Sequence, residues 1–219
     1  PSATPTSGKF CNPPAGSPRN SLPANMCFQF NVAYGSDPLQ KFDVYMPATL
    51  PKNAPVIVMV HGGGWYQGDK MDTPVVLNKV MNWVPTGAIF ISIDYPLVPQ
   101  VNALQEAQSV ARALGYAQRH ASVWGGDPNK FVLMGFSAGG HLAARLGTGF
   151  DKQVYPATDA IDKLSARPDF ELLIYPVIDM AGPDTHGGSR DRLLGPNPDP
   201  QLLRQYSMQY QVRPDTPPT

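Results

Sequence analysis

Four short apolar runs constrain this 219-residue chain most: PVIVMV at 55–60, AIFISI at 88–93, FVLM at 131–134 and FELLIY at 170–175. Near-continuous apolar runs of that length are strands covered on both faces, as in a sheet with helices above and below it. The segments between them supply the helices. Residues 73–84 carry a helical pattern with Asp72 or Thr73 available as N-cap. From Leu104 to about Ser122, with Ala103 just ahead, Ala107, Val110, Ala111, Leu114 and Ala117 recur at helical spacing, and the GGDP at 125–128 ends that helix. Residues 138–146 read as a small-residue helix, and 201–209 as one more. Strands alternating with helices predict an α/β fold with a mostly parallel sheet.

Two alternating runs precede this pattern, FQFNVAY at 28–34 and KFDVYM at 41–46, with Gly35-Ser36-Asp37-Pro38 between them. They predict an N-terminal antiparallel hairpin. In front of it, residues 1–27 form a Pro/Ser-rich leader. The 25 prolines are about 11% of the chain, roughly twice ordinary usage, and many cluster at the two ends. The chain opens without an initiator Met or a basic-plus-apolar signal segment, so its start reads as processed or trimmed. The only cysteines, Cys11 and Cys27, both fall in this stretch. They are either two independent thiols or one disulfide pinning the leader to the body; an even count in such a leader fits the disulfide better. That bond would place the protein in an oxidising compartment, extracellular or periplasmic. The remainder, 28–219, reads as one domain.

Lys plus Arg and Asp plus Glu balance at 17 each, so no basic surface calls for nucleic acid. An apolar content of 42% supports a packed core. The longest unbroken apolar run, Val56-Ile57-Val58-Met59-Val60, is far short of the roughly 18 residues that cross a bilayer. No membrane span is expected.

Chemistry concentrates at Gly135-Phe136-Ser137-Ala138-Gly139, a G-x-S-x-G with a strand before it and a helix after it. A serine on so sharp a turn takes a strained backbone conformation, and side chains two positions to either side would collide. Glycine at both flanks removes the collision and leaves the hydroxyl exposed above the sheet. The following helix aims its N-terminal amides at the same spot, where negative charge is favoured. Ser137 is therefore the candidate nucleophile.

His61-Gly62-Gly63-Gly64-Trp65 directly follows the PVIVMV run. Its glycines let main-chain N–H groups approach a substrate oxygen, as an oxyanion hole requires. The expected donors are the amides of Gly63, Gly64 and Ala138. A dinucleotide-binding turn would need G-x-G-x-x-G opening a helix, and that spacing is absent. His61 reads as a brace for the loop.

HGGGW followed some seventy residues later by GFSAGGH resembles the α/β-hydrolase esterases of the hormone-sensitive-lipase-like and feruloyl/acetylxylan-esterase-like branch. The resemblance runs from about Phe28 to Thr219. It includes the 31–47 hairpin, the THGGSR at 185–190 and the PDTPPT at 214–219. It also includes Asp94-Tyr95 with Leu97 and Pro99, where Pro96 replaces an arginine usual in that group. It implies an α/β-hydrolase fold, a serine carboxylesterase without metal or organic cofactor, and acetyl or feruloyl esters of plant polysaccharide as substrates. An arylformamidase-type amidase shares both motifs, and a hydrolase fold used only for binding is the non-enzymatic alternative.

A serine hydroxyl needs a base, and the base an orienting carboxylate. On this fold the order is Ser, acid, His, and only His141 and His186 follow Ser137. His141, one turn into the helix behind Ser137, reads as a packed structural residue, and His120 as a surface or capping one. An in-chain triad of Ser137, Asp179 and His186 has the right order but draws both partners from one short loop. The resemblance implies instead that acid and base follow two further strands, so a C-terminal segment beyond Thr219 is expected to supply them. The 170–175 strand would otherwise be a bare apolar edge.

Overall fold

The computed structural model describes residues 25–152, 157, 159–163 and 165–219. Cys11 and the leader before residue 25 lie outside the described residues, so the disulfide expectation falls there too. Cys27, its other half, is fully buried.

Six strands form one sheet in the order β1-β2-β4-β3-β5-β6. Their spans are β1 Met26–Ala33, β2 Lys41–Pro47, β3 Ala54–Val60, β4 Ile89–Ile93, β5 Gly126–Phe136 and β6 Phe170–Ile174. The β1–β2 and β2–β4 pairs are antiparallel, whereas β4–β3, β3–β5 and β5–β6 are parallel. The predicted hairpin on a mostly parallel sheet is what forms.

Both faces of the sheet are covered. Successive side chains of a strand point to opposite faces. Along β3, Val56, Val58 and Val60 join one buried cluster, and Ile57 and Met59 join the other. Helix α1 (Thr73–Trp83) seals the second face with Val76 and Val80. Helices α2 (Ala103–His120) and α3 (Ala138–Gly149) seal the first, through Val110, Leu114, Leu142 and Leu146. Among the described residues, no helix is long and apolar enough to cross a membrane.

Several boundaries differ from expectation for local reasons. The domain starts at Met26, because Met26 and Cys27 already pair with Pro47 and Met46. Helix α2 opens at Asn102 with a reciprocal capping box to Gln105, then tightens into a 3₁₀ turn, Ala121–Trp124, that ends at left-handed Gly125. The Gly126-Asp127-Pro128 stretch, expected as that helix's terminator, instead enters β5: Gly126 pairs with Ala54, and the register shifts before Val56 meets Phe131. Asp72 sits at the α1 N-cap, yet its side chain makes no capping bond. Two helices follow β6, α4 (Gly187–Leu194) and α5 (Pro200–Tyr206). The first occupies the stretch expected as a short loop around His186. The second stops at Tyr206, before the expected 209, and a 3₁₀ turn follows at Met208–Tyr210.

Strand β6 ends the strand order. On its outer side the Glu171 amide donates to the Pro218 carbonyl at 2.9 Å, so the segment 217–219 lies against that edge. Phe170 and Tyr175 remain exposed at the strand's two ends.

Candidate active site

The C-terminal ends of β3 and β5 lie side by side, since Val60 pairs with Gly135. This register brings the two sequence motifs together. Ser137, between β5 and α3, has φ 52° and ψ −116° and is half-buried. For a residue with a side chain that is a strained conformation. Three backbone bonds hold it: the Ser137 amide donates to Ile174 O at 3.1 Å, and its carbonyl accepts from His141 N and Val177 N, both at 3.1 Å. The turn is thus tied to β6 and to its own helix, while the side chain makes no hydrogen bond among the described residues.

The flanking glycines are required sterically. A Cβ on Gly135 would meet the backbone of Gly139 and Gly140, and one on Gly139 would meet the carbonyls of Val60 and His61. A Cβ on Gly62 would lie 3.3 Å from the Ser137 Cβ, which measures how closely the glycine loop approaches the serine.

Gly62, Gly63 and Ser137 line one open cavity of about 640 Å³, with His61, Gln67, Asp69, Met71, Phe136 and Tyr175 among its other walls. Gly63 takes φ +107°, and its carbonyl accepts from the Tyr66 and Gln67 amides. Gly64, at φ +62°, lies outside this lining and turns toward the Tyr66 ring and the Arg192 guanidinium. Ala138 is fully buried as the first residue of α3. Among the described residues, the amides of Gly62, Gly63 and Ala138 find no acceptor within the protein. Main-chain donors left open beside a strained, accessible hydroxyl can hold an oxyanion. Gly62, Tyr175 and Gln67 are the additions to the sequence reading. Only Gly62 had a signal, as a member of the same glycine run.

His61 braces the loop. Its Nδ1 lies 2.7 Å from Gly62 O, its ring stacks on Tyr95 at 4.5 Å, and its carbonyl accepts from the Tyr95 hydroxyl at 2.8 Å. A peptide's C=O and N–H point in opposite directions. Holding the Gly62 carbonyl on the ring therefore directs the Gly63 N–H away from it. Gly68 allows the contact, because a Cβ there would strike the His61 ring. Burial lowers the His61 pKa and keeps the ring neutral.

Beneath the loop lies a buried charge cluster. Lys70 Nζ stands 3.5 Å from both Asp43 Oδ2 and Asp94 Oδ2, and Asp94 Oδ1 is 3.9 Å from His61 Nε2. The Lys70 amide also donates to Asp94 Oδ1 at 2.6 Å. Burial pushes the Asp43 carboxyl up to about 6 and raises Asp94 as well.

The remaining histidines serve the structure. His141 is fully buried between Trp65 and Tyr206, its Nε2 3.0 Å from Tyr206 O, and burial lowers its pKa to about 4. His120 packs back on Tyr116, with Nδ1 2.8 Å from that residue's carbonyl. His186 caps α4, its Nδ1 2.7 Å from Ser189 Oγ. Asp179 accepts from the amides of Ala181 and Gly182 and from the Ser207 hydroxyl. Those amide bonds hold its carboxyl below the usual range. Neither Asp179 nor His186 lines the Ser137 cavity, and the structure does not join them into a triad with Ser137.

A strand-to-helix serine turn facing a glycine loop at the carboxyl end of a mostly parallel sheet is the α/β-hydrolase arrangement. Within that class the chain belongs to the BD-FAE family, whose family model matches residues 42–219. It is 39% identical over 168 residues to endo-1,4-beta-xylanase B of Butyrivibrio fibrisolvens, covering 74% of this chain and 25% of that protein. It is 32% identical over 172 residues to acetylxylan esterase of Xylanibacter ruminicola, covering 77% of this chain and 33% of that protein. Among solved structures it is similar to the acetyl ester-xyloside bifunctional hydrolase from Caldicellulosiruptor lactoaceticus, at 33% identity and a TM-score of 0.69. That match covers 82% of this chain and 64% of the other. The chain spans a quarter to a third of the length of these two curated relatives.

Proposed function

We propose that this chain carries the nucleophile and oxyanion hole of a serine carboxylesterase that removes acetyl or feruloyl groups from plant polysaccharide. The reading rests on one observation: Ser137 is strained and accessible beside Gly62 and Gly63, whose amides have no acceptor among the described residues. Ser137 Oγ attacks the ester carbonyl, a histidine removes its proton, and the carbonyl oxygen becomes an oxyanion facing the open amides. Collapse of that intermediate expels the alcohol, which takes the proton from the histidine, and leaves an acyl-enzyme. Water then attacks the acyl-enzyme by the same route, releasing the acid.

The acid–base pair is proposed to come from outside residues 1–219, because all four histidines here are engaged elsewhere. The acetyl preference follows from the names of the acetylxylan esterase and the acetyl ester-xyloside hydrolase. Secretion is supported by the pairing expected between Cys11 in the leader and Cys27 in β1, and intact mass with and without reductant after alkylation tests it. The functional test is acetate release from acetylated xylan, with ferulate release from methyl ferulate alongside, by the intact protein and by Ser137→Ala. Loss of both products in the variant supports the reading, and undiminished release overturns it. A wild type that binds acetylated xylan without releasing either acid would make the fold a binding module.

A further inference from the structure

A second cavity, of about 140 Å³, opens between α2, α3 and the segment that follows α5. It shares no lining residue with the Ser137 cavity. Its walls are apolar at Leu104, Ala107, Leu146 and Met208, three glutamines and Thr148 add neutral polar groups, and its charged groups are Arg145 and Lys152. Among the described residues, no carboxylate lines it.

Arg145 is the anomaly. It projects from α3, half-buried, with its guanidinium over the Tyr206 ring at 4.1 Å. Among the described residues it makes no ion pair, and its guanidinium has no hydrogen-bond acceptor. Burial lowers its pKa, as expected for a cation short of compensation. Taking a charge out of water without a counter-charge is costly, and a planar guanidinium suits a carboxylate through two parallel N–H···O bonds. Size completes the argument, since an apolar cavity of about 150 Å³ accepts one benzene ring.

We propose that this cleft is a second binding site, separate from the ester-hydrolysing one, for a single aromatic ring bearing a carboxylate. The ring lies between the α2 and α3 side chains, and the carboxylate pairs with Arg145, with Lys152 at the rim. Nothing in this assignment depends on the reaction at Ser137, so either can fail without the other.

Benzoate is the probe. Isothermal titration and thermal unfolding of the intact protein should show saturable binding, raising the midpoint by roughly 2–4 °C at several times the dissociation constant. Arg145→Met should weaken binding tenfold or more, and benzamide, of the same shape but uncharged, should bind at least tenfold more weakly. Ser137→Ala should bind benzoate unchanged. Should Arg145→Met fold poorly, Ala111→Phe, which fills the cleft wall and keeps the charge, should abolish binding instead. Absence of benzoate binding overturns the proposal. So do equal binding of benzamide, binding retained in both cleft variants, and binding lost in Ser137→Ala.

Discussion

Helix α3 separates two sites built from different materials. At its N-terminus the reactive face of the Ser137 cavity is main chain, loop glycines, a strained turn and open amides, although side chains such as Gln67 and Tyr175 complete its walls. Two turns further on, the Arg145 cleft is made of side chains, apolar and uncharged polar ones around Arg145, with Lys152 at the rim. A backbone site is fixed by where glycine occurs, so small additions of volume ruin it. A side-chain site is fixed by chemistry at one atom group, so it responds to loss of charge. This contrast orders the expected effects of substitution.

Removing the nucleophile has the largest effect. Ser137→Ala should lower kcat on p-nitrophenyl acetate by roughly a millionfold, with its circular dichroism spectrum unchanged. Gly63→Ala comes next. Its Cβ would meet the Gln67 carbonyl at φ +107°, displacing an oxyanion donor. The expected loss is roughly 10²–10³-fold in kcat with little change in KM, read from steady-state kinetics. The backbone account fails if this variant keeps full activity.

Smaller effects read out in stability. Tyr95→Phe removes the hydroxyl that bonds the buried His61 carbonyl. Denaturant melts should show a loss of about 1–3 kcal/mol, with kcat falling as the loop loosens. Glu106 tests the buried face of α2, where its carboxyl accepts from the Val98 amide. It is fully buried, and burial raises its carboxyl from 4.5 to about 8. The native state therefore keeps a proton that the unfolded chain releases, and stability falls as pH rises through that window. Glu106→Gln should flatten this decline, and its unfolding midpoint should gain on wild type between pH 5 and 8. His141 acts oppositely. Its lowered pKa means stability is lost as pH falls from 6.5 toward about 4, because the unfolded ring gains a proton first.

Much of this was legible in the sequence. The apolar runs defined β3, β4 and β6, and the α2 periodicity came with a recognisable stop at Gly125. Glycine placement located Ser137 because steric exclusion acts on the chain itself, before any tertiary contact exists. Helix α4 escaped notice because it starts with Gly187 and Gly188, which disfavour helix, and is held by the His186 cap. The cavity's rim escaped for another reason. Tyr175 lines it only because β6 ends beside β5 and the chain turns at φ 38° there. Likewise, the sequence marked Gly63 and Gly64 as equivalent loop donors, whereas the bond between His61 and the Gly62 carbonyl sets which way the Gly63 amide faces.

Reaction of the intact protein with a fluorophosphonate, followed by peptide mapping, tests the central claim most directly. The account predicts one adduct per chain, on Ser137. An unlabelled protein, or an adduct on any other residue, would contradict it.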